Sequence, residues 1–191
     1  MDLRKINVKY FVEKDGGLPL APVIPVFHRW IQDDKLDDLL IDVAEYTHVH
    51  QGPGVLLIAQ EANYSLDETD GRRGFLYSQK RTPEKSGEEH LRTAFRRVLT
   101  AASLLENEPD LQGELKFDPG HFQVSVNDRL AAPAGAGSQT DLEKDLKSFL
   151  LSIYGSSPAV FQTEKDPQKA VGFEVKVSNP PSISELLKKL S

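Results

Sequence analysis

The side chains with the most chemical capacity fall between positions 42 and 63. Asp42, Tyr46, His48, Glu61 and Asn63 supply two carboxylates, a phenol, an imidazole and an amide. Gathered on one surface, such groups can bind a small ligand, with Tyr46 and Asn63 orienting it, or do acid–base work through Asp42, His48 and Glu61. His48 and His50 are separated by one residue and point the same way if the chain is extended; with Glu61 as a third ligand they would suit a metal ion. Asp42 interrupts the apolar run Leu39-Leu40-Ile41 and Val43, so its charge must be paired or exposed. The plainer reading is the solvated side of an antiparallel sheet, which is ordinarily polar.

Strands must position these groups. Residues 39–50 read as one strand, Gln51-Gly52-Pro53-Gly54 as a turn, and 55–67 as a second strand. Asp70-Gly71 is a two-residue hairpin signal leading into a third strand over 72–80. The turns then place Asp42 opposite Asn63, and Asn63 opposite Ser78. In that register one face carries Ile41, Val43, Val49, Leu56, Ile58, Ala62, Tyr64, Leu66, Phe75 and Tyr77, and the other carries the polar set. The Gly52–Gly54 and Gly71–Gly74 segments match no phosphate-binding loop and precede no helix.

The remaining elements follow from period and punctuation. Ile6, Val8, Tyr10 and Val12 alternate with polar residues as a first strand, and residues 25–35 have helical spacing. Residues 115–117 and 122–126 suggest a hairpin about Asp118-Pro119-Gly120-His121, and 159–163 with 171–177 a last one. Capping-box pairs Ser86/Glu89, Thr140/Glu143 and Ser182/Glu185 open three helices. Residues 131–138 are Ala/Gly/Pro-rich, either a long loop or a boundary between lobes. The whole is an α+β fold: a largely antiparallel sheet of meander and hairpins with helices on one face, residues 1–178 forming one domain. The last segment, 179–191, is an amphipathic helix tethered by Pro180-Pro181, whose stripe of Ile183, Leu186, Leu187 and Leu190 is too short to persist alone. It must dock on its own body, on a second subunit or in a partner's groove.

Composition narrows the partners. The net charge is −6 and the pI about 5.4, which argues against general nucleic-acid binding. No apolar run approaches the roughly 20 residues of a membrane span, and the N-terminus lacks a signal-peptide core. There is no cysteine, so thiolate metal sites and Cys nucleophiles are excluded and a cytoplasmic setting is expected. No cofactor is expected.

Residues 25–32 (PVFHRWIQ), 39–46 (LLIDVAEY), 52–55 (GPGV), 64–67 (YSLD) and 69–72 (TDGR) are similar to an uncharacterised family of bacterial proteins, over about residues 6–178. The resemblance implies a bacterial cytoplasmic setting and brings no catalytic residue with it. The expected function is a non-catalytic binding or interaction protein, self-associating through its C-terminal helix. The alternative is a metal-dependent enzyme or small-ligand binder using the polar sheet face around Asp42, His48 and Glu61.

Overall fold

The computed structural model describes residues 5–14, 17–81, 87–111, 113–126, 136–155, 158–162 and 172–191. Eight strands are present: β1 (Ile6–Lys14), β2 (Leu40–Tyr46), β3 (Gly54–Ala59), β4 (Ala62–Asp67), β5 (Gly74–Gln79), β6 (Lys116–Val126), β7 (Ala159–Gln162) and β8 (Gly172–Lys176). They form one antiparallel sheet in the order β2-β3-β4-β5-β1-β6-β8-β7. Strands from before and after residues 131–138 therefore share that sheet; 131–135 lie outside the described residues, and 136–138 open a helix.

Helices α1 (Val23–Gln32), α2 (Glu88–Glu106), α3 (Ala136–Tyr154) and α4 (Ile183–Leu190) complete the α+β fold. Their buried stripes, such as Val23, Val26, Phe27 and Trp30 of α1, join a single apolar cluster with Ile6, Val8, Tyr10, Val55, Leu57, Tyr64, Phe75, Phe122 and Val175 of the strands. The period-2 residues of each strand thus meet the period-3.6 stripes of the helices on one side of the sheet. At its centre Tyr10, Phe95, Phe122, Phe149 and Tyr154 form a chain of ring contacts. The Tyr154 hydroxyl donates to the Pro119 carbonyl at 2.7 Å.

Two expected elements change. Residues 55–67 are two strands, not one, turning at Gln60-Glu61. That pair has no glycine, proline or asparagine to mark it. Its N–H groups are satisfied by the segment leading into β2: Gln60 N donates to the Leu39 carbonyl and Glu61 N to Asp38 Oδ1. A two-residue turn reverses the parity of the faces, so Val55, Leu57 and Ala59 are buried while Leu56 and Ile58 lie on the helix-free side. Beyond the turn the register is as read, with Asn63 opposite Ser78. Asp42 pairs with Ile58 rather than Asn63.

Segments 115–117 and 122–126 are likewise one strand, β6, which follows β1 with register shifts at the Asp118-Pro119-Gly120 step. A bulge replaces the expected hairpin because that step is used twice over: Pro119 O takes the Tyr154 hydroxyl and Gly120 O takes Val177 N.

The C-terminal helix docks in cis. Ser182 and Glu185 close the expected capping box, Ile183, Leu186 and Leu190 are buried against α2 and α3, and Leu187 packs at their margin. Arg92 donates to the Lys189 carbonyl, and Lys189 Nζ to the Ile153 carbonyl. Of the three docking partners open to this apolar stripe, the chain's own body takes it. The Ser86 cap lies outside the described residues and α2 begins after Gly87; α3 starts before Thr140, and side chains 136–142 are not described.

Candidate functional site

The residues singled out from sequence do not converge. Asp42, Tyr46 and Asn63 share the helix-free face, but Ile58 stands between Asp42 and Asn63, two strand spacings or roughly 10 Å apart. His48 and His50 follow β2 in an exposed turn, whereas Glu61 sits at the other end of β3, about 20 Å along the strand. Among the described residues no group of three or more His, Asp or Glu is placed to hold a metal ion. The suggested His48–His50–Glu61 ligand set is therefore corrected: the turn at Gln60-Glu61 carries Glu61 away from both imidazoles. Asp42 is exposed, and its Oδ1 accepts the N–H of Val43 at 2.8 Å.

The helix-free face has two unlike halves. Over β1, β5, β6 and β8 it is knitted by charge. Lys9 is buried and paired with Asp67, which is itself buried and accepts from the Thr69 hydroxyl and N–H. Gly74 lets this lysine lie flat, since a Cβ there would come within 2.6 Å of Tyr10 O and 2.9 Å of Lys9 Cε. Beside it the Arg72 guanidinium lies 3.8 Å from the centre of the Phe11 ring. Arg72 also grips Glu174 in a two-pronged bond of 3.0 and 3.1 Å. His121 Nε2 lies 2.6 Å from Glu174 Oε1 and 3.1 Å from Arg72 Nη2, so it serves one of them at a time, donating to the carboxylate as N–H or accepting from the arginine as a lone pair. Arg72 and then His121 hold the Glu174 carboxyl down at about 2, against the opposing effect of partial burial. The arrangement straps the β4–β5 loop across β1 and β6 to β8. A shallow cavity of about 160 Å³ remains between Asn7, Lys9, Asp67, Gln123 and Ser125.

At the other end, β2 is an edge strand. Four large apolar side chains are exposed on and around it: Leu39 at 61%, Ile41 at 56%, Val49 at 41% and Tyr46 at 40%. Leu56 and Ile58 of β3 continue the patch, half-buried, beside Ala44 and Asp42 on the helix-free face. The strand is not an open template for further pairing. A bulge between Leu40 and Asp42 breaks its register, and the Asp42 carboxylate occupies the outward N–H of Val43.

The charges at this corner are one-sided. From Leu36 to Gly71 there are eight carboxylates and no Lys or Arg. Five are answered by cations elsewhere in the chain: Asp37 by Arg96, Asp38 by Arg97, Glu61 by Arg81, Asp67 by Lys9 and Glu68 by Arg73. Asp42, Glu45 and Asp70 form no ion pair among the described residues. Behind Leu39, the side chain of Asp38 is buried, with Oδ1 holding the β3–β4 turn and Oδ2 without a hydrogen-bond partner, 3.9 Å from Arg97. Burial raises the Asp38 carboxyl above its ordinary range, against the opposing pull of the Glu61 N–H and Arg97. Burial likewise pushes the Tyr64 and Tyr77 hydroxyls up, and the neighbouring Arg97 pulls both back.

Sequence reasoning missed Lys9, Phe11, Arg72 and Glu174 as a unit, and also the Asp38–Arg97 pair. Their partners lie 58 or more positions apart in the chain, and no local pattern announces them. The strand parity that puts Asp67 on the helix-free face was legible, and a buried carboxylate there needs a cation from a neighbouring strand. No helix among the described residues is long and apolar enough to cross a membrane. No family model, curated protein or solved structure matches this chain.

Proposed function

We propose that this chain is a non-catalytic binding module that receives a partner protein segment at the β2–β3 corner of its sheet. The resemblance to a bacterial family supports a bacterial cytoplasmic setting. The observation that carries the reading is the concentration of exposed Leu39, Ile41, Tyr46 and Val49 on one edge, continuous with Leu56 and Ile58. The bulge and the Asp42–Val43 contact disfavour simple strand addition, so the partner packs across the side chains rather than extending the ladder. Asp42 and Glu45, which form no ion pair among the described residues, select its charge. A second copy would bring like charges together and an anionic membrane would be repelled, whereas a segment combining apolar and basic residues is complementary on both counts.

A synthetic amphipathic Leu/Lys helix is a suitable probe, measured by calorimetry against wild type and Ile41→Asp. Simple charge attraction to an acidic protein would strengthen in Ile41→Asp, which adds a carboxylate. Docking on the apolar corner would weaken, by about tenfold for one lost buried anchor. Weaker binding in the variant supports the reading; equal or tighter binding overturns it.

A further inference from the structure

We infer that the cavity between β4, α2 and the segment leading into β2 binds a phosphate group. It has a volume of about 180 Å³ and is lined by Leu36, Asp37, Tyr64, Arg96, Arg97 and Thr100. That is below the roughly 300 Å³ at which pockets for drug-sized ligands begin, and suits one compact anion. Thr100 follows Arg96 by four residues and Arg97 by three, so α2 presents the three side chains as neighbours on its surface. Tyr64 enters from β4, on the helix-bearing side of the sheet, and buried Leu36 supplies an apolar wall.

The donors around this cavity are short of acceptors. Elsewhere in the chain guanidinium groups hydrogen-bond carboxylates closely: Arg29 to Glu108 at 2.9 Å, Arg72 to Glu174 at 3.0 Å and Arg92 to Glu88 at 3.1 Å. Arg96 and Arg97 do not, their ion pairs with Asp37 and Asp38 standing at 3.5 and 3.9 Å. Thr93 and Ser152 return their hydroxyls to helix carbonyls at 2.9 and 2.7 Å, whereas the Thr100 hydroxyl makes no hydrogen bond among the described residues. Tyr64 is only 1% exposed, yet its hydroxyl also has no hydrogen bond among the described residues. Unlike Arg97 Nε, that hydroxyl is not sealed from solvent, so an occupant of the cavity can reach it. A buried hydroxyl of this kind is ordinarily satisfied by water or ligand, and two guanidinium groups beside it make the ligand an anion. The carboxylates nearby do not block it. Asp37 is 85% exposed by side chain, so its contact with Arg96 is weak and gives way to a stronger acceptor. Asp38 is turned to the β3–β4 turn and does not line the cavity. A carboxylate ligand would bring two oxygens in one plane. A phosphate group brings a tetrahedral set and more charge, and so meets donors from α2 and β4 together.

The test titrates the full chain with inorganic phosphate by calorimetry at constant ionic strength, with acetate as a carboxylate probe and phenyl phosphate as a monoester. The expected result is saturable binding of phosphate, with acetate weaker by about tenfold or more. Arg96→Gln should weaken phosphate binding about tenfold, and Arg81→Gln, which removes an exposed arginine outside the cavity, less than about twofold. Tyr64→Phe keeps the ring in the core and removes a hydroxyl that bonds nothing in the fold. It should weaken phosphate about fivefold and leave the thermal midpoint unchanged. Arg97 is left intact because it also faces Asp38 and the Tyr77 hydroxyl. The assignment is overturned by any of four results: no saturable phosphate binding, acetate binding as tightly as phosphate, equal losses in Arg96→Gln and Arg81→Gln, or wild-type affinity in Tyr64→Phe. Phenyl phosphate binding more tightly than phosphate would assign a monoester as the source and weaker binding the free anion, and either result supports the site.

Discussion

The two halves of the helix-free face solve opposite problems with the same strands. Over β1, β6 and β8, buried charge is matched partner to partner: Lys9 with Asp67, and Arg72 with Glu174 and His121. Over β2 and β3, large apolar groups are left in solvent, and Asp42 beside them forms no ion pair among the described residues. A sheet face covered by its own ion pairs is closed to a partner, because any ligand must first replace those contacts. A face with exposed Ile41, Leu39 and Tyr46 gains from being covered. The contrast teaches that polar side chains on an open sheet do not by themselves mark the binding surface. Here the more polar half is the sealed one.

That contrast can be broken or sharpened by mutation. The largest effect is expected from Lys9→Met, which leaves Asp67 buried and unpaired and should cost about 3–5 kcal/mol of unfolding free energy in a urea titration. Adding Asp67→Leu should recover most of that loss, since a matched apolar pair removes both desolvation penalties. If the single and double variants are equally unstable, the pair is not what seals this half.

A smaller effect belongs to Glu174. Its carboxyl titrates near 2 when folded and near 4.5 when free, so the folded state holds the proton less tightly. The stability it contributes is complete above about 4.5 and is lost as pH falls from there toward 2. Glu174→Gln should therefore cost about 1–2 kcal/mol near neutral pH and converge on wild type near pH 2. Urea midpoints across that range check it; a constant difference between the two proteins would show that the carboxylate charge is not the cause.

The smallest effect is the most telling for function. Leu39→Asp and Ile41→Asp should change stability by less than about 0.5 kcal/mol, because both side chains already face solvent. A large loss in either would mean that the corner supports the fold, and the case for a partner there would weaken.

Much of the architecture was readable in the chain. The alternation of Ile6, Val8 and Tyr10, the spacing of Phe27 and Trp30, and the Ser182/Glu185 box each report a local interaction whose geometry is set within a few residues. The turn at Gln60-Glu61 was not readable, because its N–H groups are satisfied by Leu39 and Asp38, more than 20 positions away. Missing that turn moved Leu56 and Ile58 to the wrong face and put Glu61 on one face with His48, which it never approaches. The β6 bulge was misread for a similar reason: Asp118-Pro119-Gly120 is ordinary turn chemistry until Tyr154 and Val177 engage its carbonyls.

By itself, then, the sequence determined the α+β class, the antiparallel β4–β5 register, the helix-forming segments and the acidity of the stretch from Leu36 to Gly71. These depend on period, turn residues and composition, all of which are local or additive. Only the tertiary structure decided that the C-terminal helix is spent in cis, that Lys9 and Arg72 seal one half of the open face, and that Leu39 and Ile41 are left uncovered at the other. Each of these depends on which strands become neighbours, and strand order is set by the sum of long-range burial over the whole sheet.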